Sequence, residues 1–169
     1  NATTGGHNVA LGTGAIRNAN GGNNVGIGSD ACKGASGSTG SSNIGIGRTS
    51  LLSFTTGSNN VAIGRYALDA DTTGSNNIGI GYNALTANTT ANDNTAVGLA
   101  ALGANTTGTR NVAVGNYALD ANTTASYNSA FGYGTLGANT TGANNTGVGY
   151  ASLLVNTTGQ NNTALGSQA

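Results

Sequence analysis

The sequence predicts an all-β fold, a parallel β-solenoid (β-roll) of about ten 17-residue coils with two short strands in each. Three observations carry this reading. The pattern Asn, then an apolar residue, Thr or Ser, then Ala or Gly, then an apolar residue, then Gly recurs along the chain. It begins at Asn8, Asn24, Asn43, Asn60, Asn77, Asn94, Asn111, Asn128, Asn145 and Asn162. The first two spacings are 16 and 19 residues, and every later one is 17. Within the pattern large and small residues alternate with period two, the signature of a strand. Composition agrees: 169 residues include 30 Gly, 26 Asn and 25 Thr but no Pro. Recurrent Gly and β-branched residues work against helices. The chain reads as one array, 1–169, with irregular first coils in 1–42 and regular coils through 43–169.

Each coil position has an expected place. Position one is an Asn ladder: Asn60, Asn77, Asn94, Asn111, Asn128 and Asn145. Position four is large and apolar throughout, so Ile63, Ile80, Val97, Val114, Phe131 and Val148 are expected to point into the core with position two. Position three would then face the opposite way. Ala62, Gly79, Ala96, Ala113, Ala130 and Gly147 form a smooth stripe there, on which another backbone could approach closely, so it is expected to be an assembly surface. A second short strand is expected around position nine, where Leu68, Leu85, Leu102, Leu119, Leu136 and Leu153 complete the core ladder. The Asn-Thr-Thr-Gly stretch that follows is turn chemistry, since Asn bonds its own backbone and Gly accepts positive φ.

Function classes narrow quickly. Five basic residues cancel five acidic ones, which removes the electrostatic pull toward nucleic acid or an anionic membrane. No apolar run approaches the ~20 residues of a membrane helix. Catalytic groups are few and none forms a column: His7, Cys32, Asp30, Asp69, Asp71, Asp93 and Asp120. Cys32 takes a slot that is otherwise Leu or Ile and reads as a buried, hydrophobe-like thiol. Asp69 and Asp71 lie two apart and read as a solvated loop. Gly-x-Gly is frequent, but no phosphate-binding lysine follows it. Neither an enzyme, nor a metal site, nor a cofactor is expected.

The turns supply the remaining candidates. Thr-Thr recurs from Thr55-Thr56 to Thr157-Thr158, which would stack as two hydroxyl columns and raises ice binding as an alternative role. The same turns create Asn-x-Thr sequons at Asn88, Asn105, Asn122, Asn139 and Asn156, with others at Asn1, Asn144 and Asn161, all candidates for glycosylation in an exported chain. Tyr66, Tyr82, Tyr117, Tyr133 and Tyr150 cluster at positions six and seven, where they suit carbohydrate or protein contact or cover the rim of the core.

Asn-Asn-Val-Ala-Ile-Gly at 59–64 and Asn-Asn-Ile-Gly-Ile-Gly at 76–81 resemble the head repeat of YadA-like trimeric autotransporter adhesins. The longer form, Asn-Thr-Ala-Val-Gly-x-x-Ala-Leu with Asn-Thr-Thr-Gly, looks like repeats of bacterial and phage tail-fibre-like proteins. The resemblance implies a left-handed roll and side-by-side packing of three copies, here with a longer period. It implies an extracellular, cell-surface or virion tail-fibre location. The expected role is a structural or adhesive rod that assembles with copies of itself, as a trimer or end to end, and meets a surface glycan or host receptor. The start at Asn1, without Met, suggests a processed chain or a segment of a longer one.

Overall fold

A computed structural model describes residues 5–169. Ten three-residue strands follow one another, from β1 (Val9–Leu11), β2 (Val25–Ile27), β3 (Ile44–Ile46), β4 (Val61–Ile63) and β5 (Ile78–Ile80) to β6 (Thr95–Val97), β7 (Val112–Val114), β8 (Ser129–Phe131), β9 (Thr146–Val148) and β10 (Thr163–Leu165). They form one parallel sheet in sequence order, and no helix occurs among the described residues. The register keeps each repeat position over its copy: Val61, Ala62 and Ile63 pair with Ile78, Gly79 and Ile80. The chain is a β-solenoid.

Only one strand forms per coil, which corrects the expected pair. The position-nine residues Leu68, Leu85, Leu102, Leu119, Leu136 and Leu153 have φ between 50° and 54°, a left-handed conformation that ends an extended segment. Packing and bonding hold them there. Leu68 is fully buried, and its N–H donates to the Ala84 carbonyl of the next coil at 3.1 Å. Backbone bonds thus continue from coil to coil around the turns, with Thr55 N–H reaching Thr72 O at 2.7 Å and Thr72 N–H reaching Thr89 O at 2.8 Å. Position five must be Gly: Gly64 has φ +126°, and a Cβ there would lie 2.5 Å from the Gly81 carbonyl oxygen.

The strands face the opposite way from the sequence expectation. Ala62, Ala96, Ala113 and Ala130 are fully buried, and Gly79 and Gly147 are buried with them. The expected assembly stripe is therefore the inner wall. Its small residues are required because the leucine column packs directly against it; a Cβ on Gly79 would meet Leu68 Cγ at 3.4 Å. Of the expected core ladder, the leucines from Leu68 to Leu136 lie inside, and Leu153 is partly buried against them. Position four does not. Ile63, Ile80, Val97 and Val148 are half-buried on the outside, and Val114 and Phe131 are exposed. Ile16 and Cys32 fill the core of the irregular coils, and Phe54 that of coil 43–59.

Asparagine closes each coil. Asn60 Nδ2 donates to the Gly74 carbonyl of its own coil at 2.8 Å, while its Oδ1 accepts the Asn77 N–H of the next at 2.9 Å. Asn77, Asn94, Asn111 and Asn128 repeat this arrangement. Asn145 does so too.

Candidate functional site

The outer face of the sheet is a regular surface that runs through all ten strands. Strand alternation sends positions two and four outward. One column runs Val25, Ile44, Val61, Ile78, Thr95, Val112, Ser129 and Thr146; the other runs Ile27, Ile46, Ile63, Ile80, Val97, Val114, Phe131 and Val148. Neither contains a charge. Val114 is 37 % exposed and Phe131 42 %, large values for apolar side chains on a flat strand. The position-two column grades from Val and Ile in the early coils to Thr and Ser in the later ones.

Two polar rims flank this face. On one side Arg65 and Tyr66 are followed by Tyr82, and farther along by Tyr117, Tyr133 and Tyr150. Tyr66 and Tyr82 meet edge to face at 6.0 Å, as do Tyr117 and Tyr133 at 5.8 Å, while Tyr133 and Tyr150 stack at 5.7 Å. Tyr82, Tyr133 and Tyr150 remain about half exposed. The other rim carries Arg110, which donates from Nη1 to the Tyr127 hydroxyl at 2.5 Å and lies 3.8 Å from Asp93.

The remaining candidates take different places. Asn88, Asn105, Asn122 and Asn139 are fully buried, and Asn156 is half-buried. Each amide nitrogen is engaged twice. Asn122 Nδ2, for example, donates to Asn105 Oδ1 at 2.9 Å and to the Ala125 carbonyl at 3.1 Å. The folded chain therefore withholds these five nitrogens from glycosylation, correcting that expectation. Among the other sequons Asn144 and Asn161 are exposed, and Asn1 lies outside the described residues. The Thr-Thr pair also splits. Thr72, Thr106 and Thr123 donate their hydroxyls to the next coil's backbone, while Thr73, Thr107 and Thr124 remain exposed, leaving one free hydroxyl column where two were expected.

Ionisable groups do not converge. Among the described residues no three His, Cys, Asp or Glu side chains come together. Burial pushes the Cys32 thiol up to about 12, partly opposed by a backbone hydrogen bond from Gly45. Asp69 accepts from the Thr86 hydroxyl at 2.8 Å. Burial raises its pKa, with that bond pulling the other way. Asp71, expected in a solvated loop, is fully buried and accepts from Asn88 Nδ2 at 3.0 Å. Aligning position twelve reveals it, since Asp71 stands where Asn88 and its successors stand. Set against protein-family models, curated proteins and solved structures, the chain matches none of them, which leaves the geometry of the outer face and its rims as the ground for assigning a role.

Proposed function

We propose that this chain is a non-catalytic structural rod, of the adhesin or fibre kind, that works as a lateral assembly of copies packed through their outer sheet faces. One observation carries the reading: two uncharged columns, mostly Val and Ile with Phe131 and, in the later coils, Thr and Ser, stand half-buried to exposed on the outer side of the sheet. Ten strands at about 4.8 Å spacing and about 10 Å of strand length make a face on the order of 450 Å², and the largest apolar patch on a chain, often about this size, is commonly a functional one. An apolar centre between tyrosine- and arginine-bearing rims is the anatomy of a protein interface. The resemblance of the repeat to adhesin heads and tail fibres supports a location outside the cell, on a cell surface or a virion. A surface glycan or host receptor would then be met along a rim the assembly leaves open.

Light scattering on the parent and on a Val114→Arg, Phe131→Arg double variant tests this. Both positions face outward, so the variant is expected to keep the parent's circular dichroism. The parent is expected to run as an oligomer and the variant as a monomer. A folded parent that stays monomeric at high concentration removes the proposal. The exposed Thr73, Thr107 and Thr124 column keeps ice binding as the second reading. Thermal hysteresis lost in Thr107→Tyr would favour it; a flat response in the parent would dismiss it.

A further inference from the structure

In the coils from Asn77 onward one carbonyl, at position fifteen, accepts from two asparagines. The Ala91 carbonyl takes Asn77 Nδ2 at 2.8 Å and Asn88 Nδ2 at 3.2 Å. Gly108 takes Asn94 and Asn105 at 2.8 and 2.9 Å, and Gly142 takes Asn128 and Asn139, both at 2.9 Å. Coil 60–76 breaks the rule. Gly74 O receives Asn60 Nδ2 at 2.8 Å, but position twelve is Asp71, which as a carboxylate has no hydrogen to give. Asp71 Oδ1 behaves like the asparagine oxygens, accepting from Asn88 Nδ2 at 3.0 Å and from Gly74 N–H at 3.2 Å. Its Oδ2 therefore takes the branch that carries NH2 in the rest of the column. That oxygen is the buried side-chain polar atom without a partner among the described residues.

We propose that Asp71 carries its proton in the folded solenoid, donating from Oδ2 to the Gly74 carbonyl, and that losing this proton loosens the closure of coil 60–76. An ionised Oδ2 would set negative charge against carbonyl lone pairs with no donor at hand, which is the costly way to bury a carboxyl group. No countercharge is available. The preceding coil offers Phe54 at the same column position and Gly57, the next offers Asn77, Asn88 and Ala91, and its own coil offers Asn60 and Gly74. None is titratable or charged. Asp69, two residues back, turns its carboxyl to Thr86. Burial accordingly raises the Asp71 pKa from 3.8 to about 7, with the Asn88 and Gly74 bonds pulling the other way.

The sign follows from that direction. A carboxyl group that binds its proton more tightly when folded adds stability that is complete below the unfolded value, 3.8, and is lost as pH rises to about 7. Urea unfolding of the parent and of Asp71→Asn, each at pH 5 and pH 8, reads it. Asparagine is the column's own residue and supplies the missing donor at every pH. Between pH 5 and pH 8 the folding constant of the parent, relative to the variant, is expected to fall roughly a hundredfold. Taking the ratio cancels Cys32, Asp69 and Asp120, which both proteins share. Parallel curves for the two proteins would overturn the proposal. So would an Asp71 Cγ resonance titrating in the ordinary carboxylate range.

Discussion

Side chains that elsewhere decorate a surface here stand in for backbone. Asparagine at positions one and twelve reaches one carbonyl from two sides, and its own oxygen receives the next coil. Each amide thus spends donors and acceptor inside the rod, as burial of a polar group requires. The cost of interrupting such a column is local and large, because the neighbour is left buried and unpaired. Cys32 shows the complementary case of a polarisable group treated as a hydrocarbon. Its thiol is expected to resist a maleimide at pH 8 in the native protein and to react promptly in denaturant; native labelling at the free-thiol rate would contradict its place in the core. With a folded pKa near 12 against 9.0, Cys32 also makes folding weaken as pH climbs between those values.

At the level of the strand, inside and outside are decided by what lies across the coil. The opposite wall brings leucine onto the sheet, leaving room only for Ala or Gly at position three. Ala113→Leu is therefore expected to destabilise by about 1–3 kcal/mol through overpacking, measurable by urea unfolding, whereas Val114→Leu next to it should change little. Equal effects at the two sites would reverse the orientation described here. This is also where the sequence was hardest to read. Period, strand position and the leucine column are legible from spacing alone. The sense of the sheet is not, because alternation fixes which residues share a face and says nothing of which face is inner. Size misled, since Ile63 and Phe131 look like core residues in isolation. The left-handed turn at Leu68 was equally hidden, because leucine carries none of the turn chemistry of Gly or Asn.

For the whole rod, stability is a sum over neighbouring coils, so altering coil number and altering register are different operations. Removing residues 94–110 joins Asp93 to Asn111 and restores every column one coil shorter; the product is expected to fold cooperatively with modestly lower stability. Removing 94–109 instead leaves one surplus residue and throws the Asn, Leu and Gly columns out of line. Circular dichroism melting separates the outcomes, and two deletions that behaved alike would show that the columns do not govern the fold.

The doubly used carbonyl at position fifteen has a further consequence, for heredity. A coil contributes nothing by itself and everything by matching its neighbours, so the unit on which selection can act is the whole turn of coding sequence. Slippage or unequal exchange between adjacent repeats keeps the reading frame and all columns whenever it adds or drops one complete turn, whereas another change in length must be absorbed in a turn, as in the coils of 16 and 19 residues at the start. Such a gene can lengthen or shorten its product readily while keeping the turn itself almost constant, which is how the seven consecutive 17-residue spacings from Asn43 to Asn162 stand in this chain.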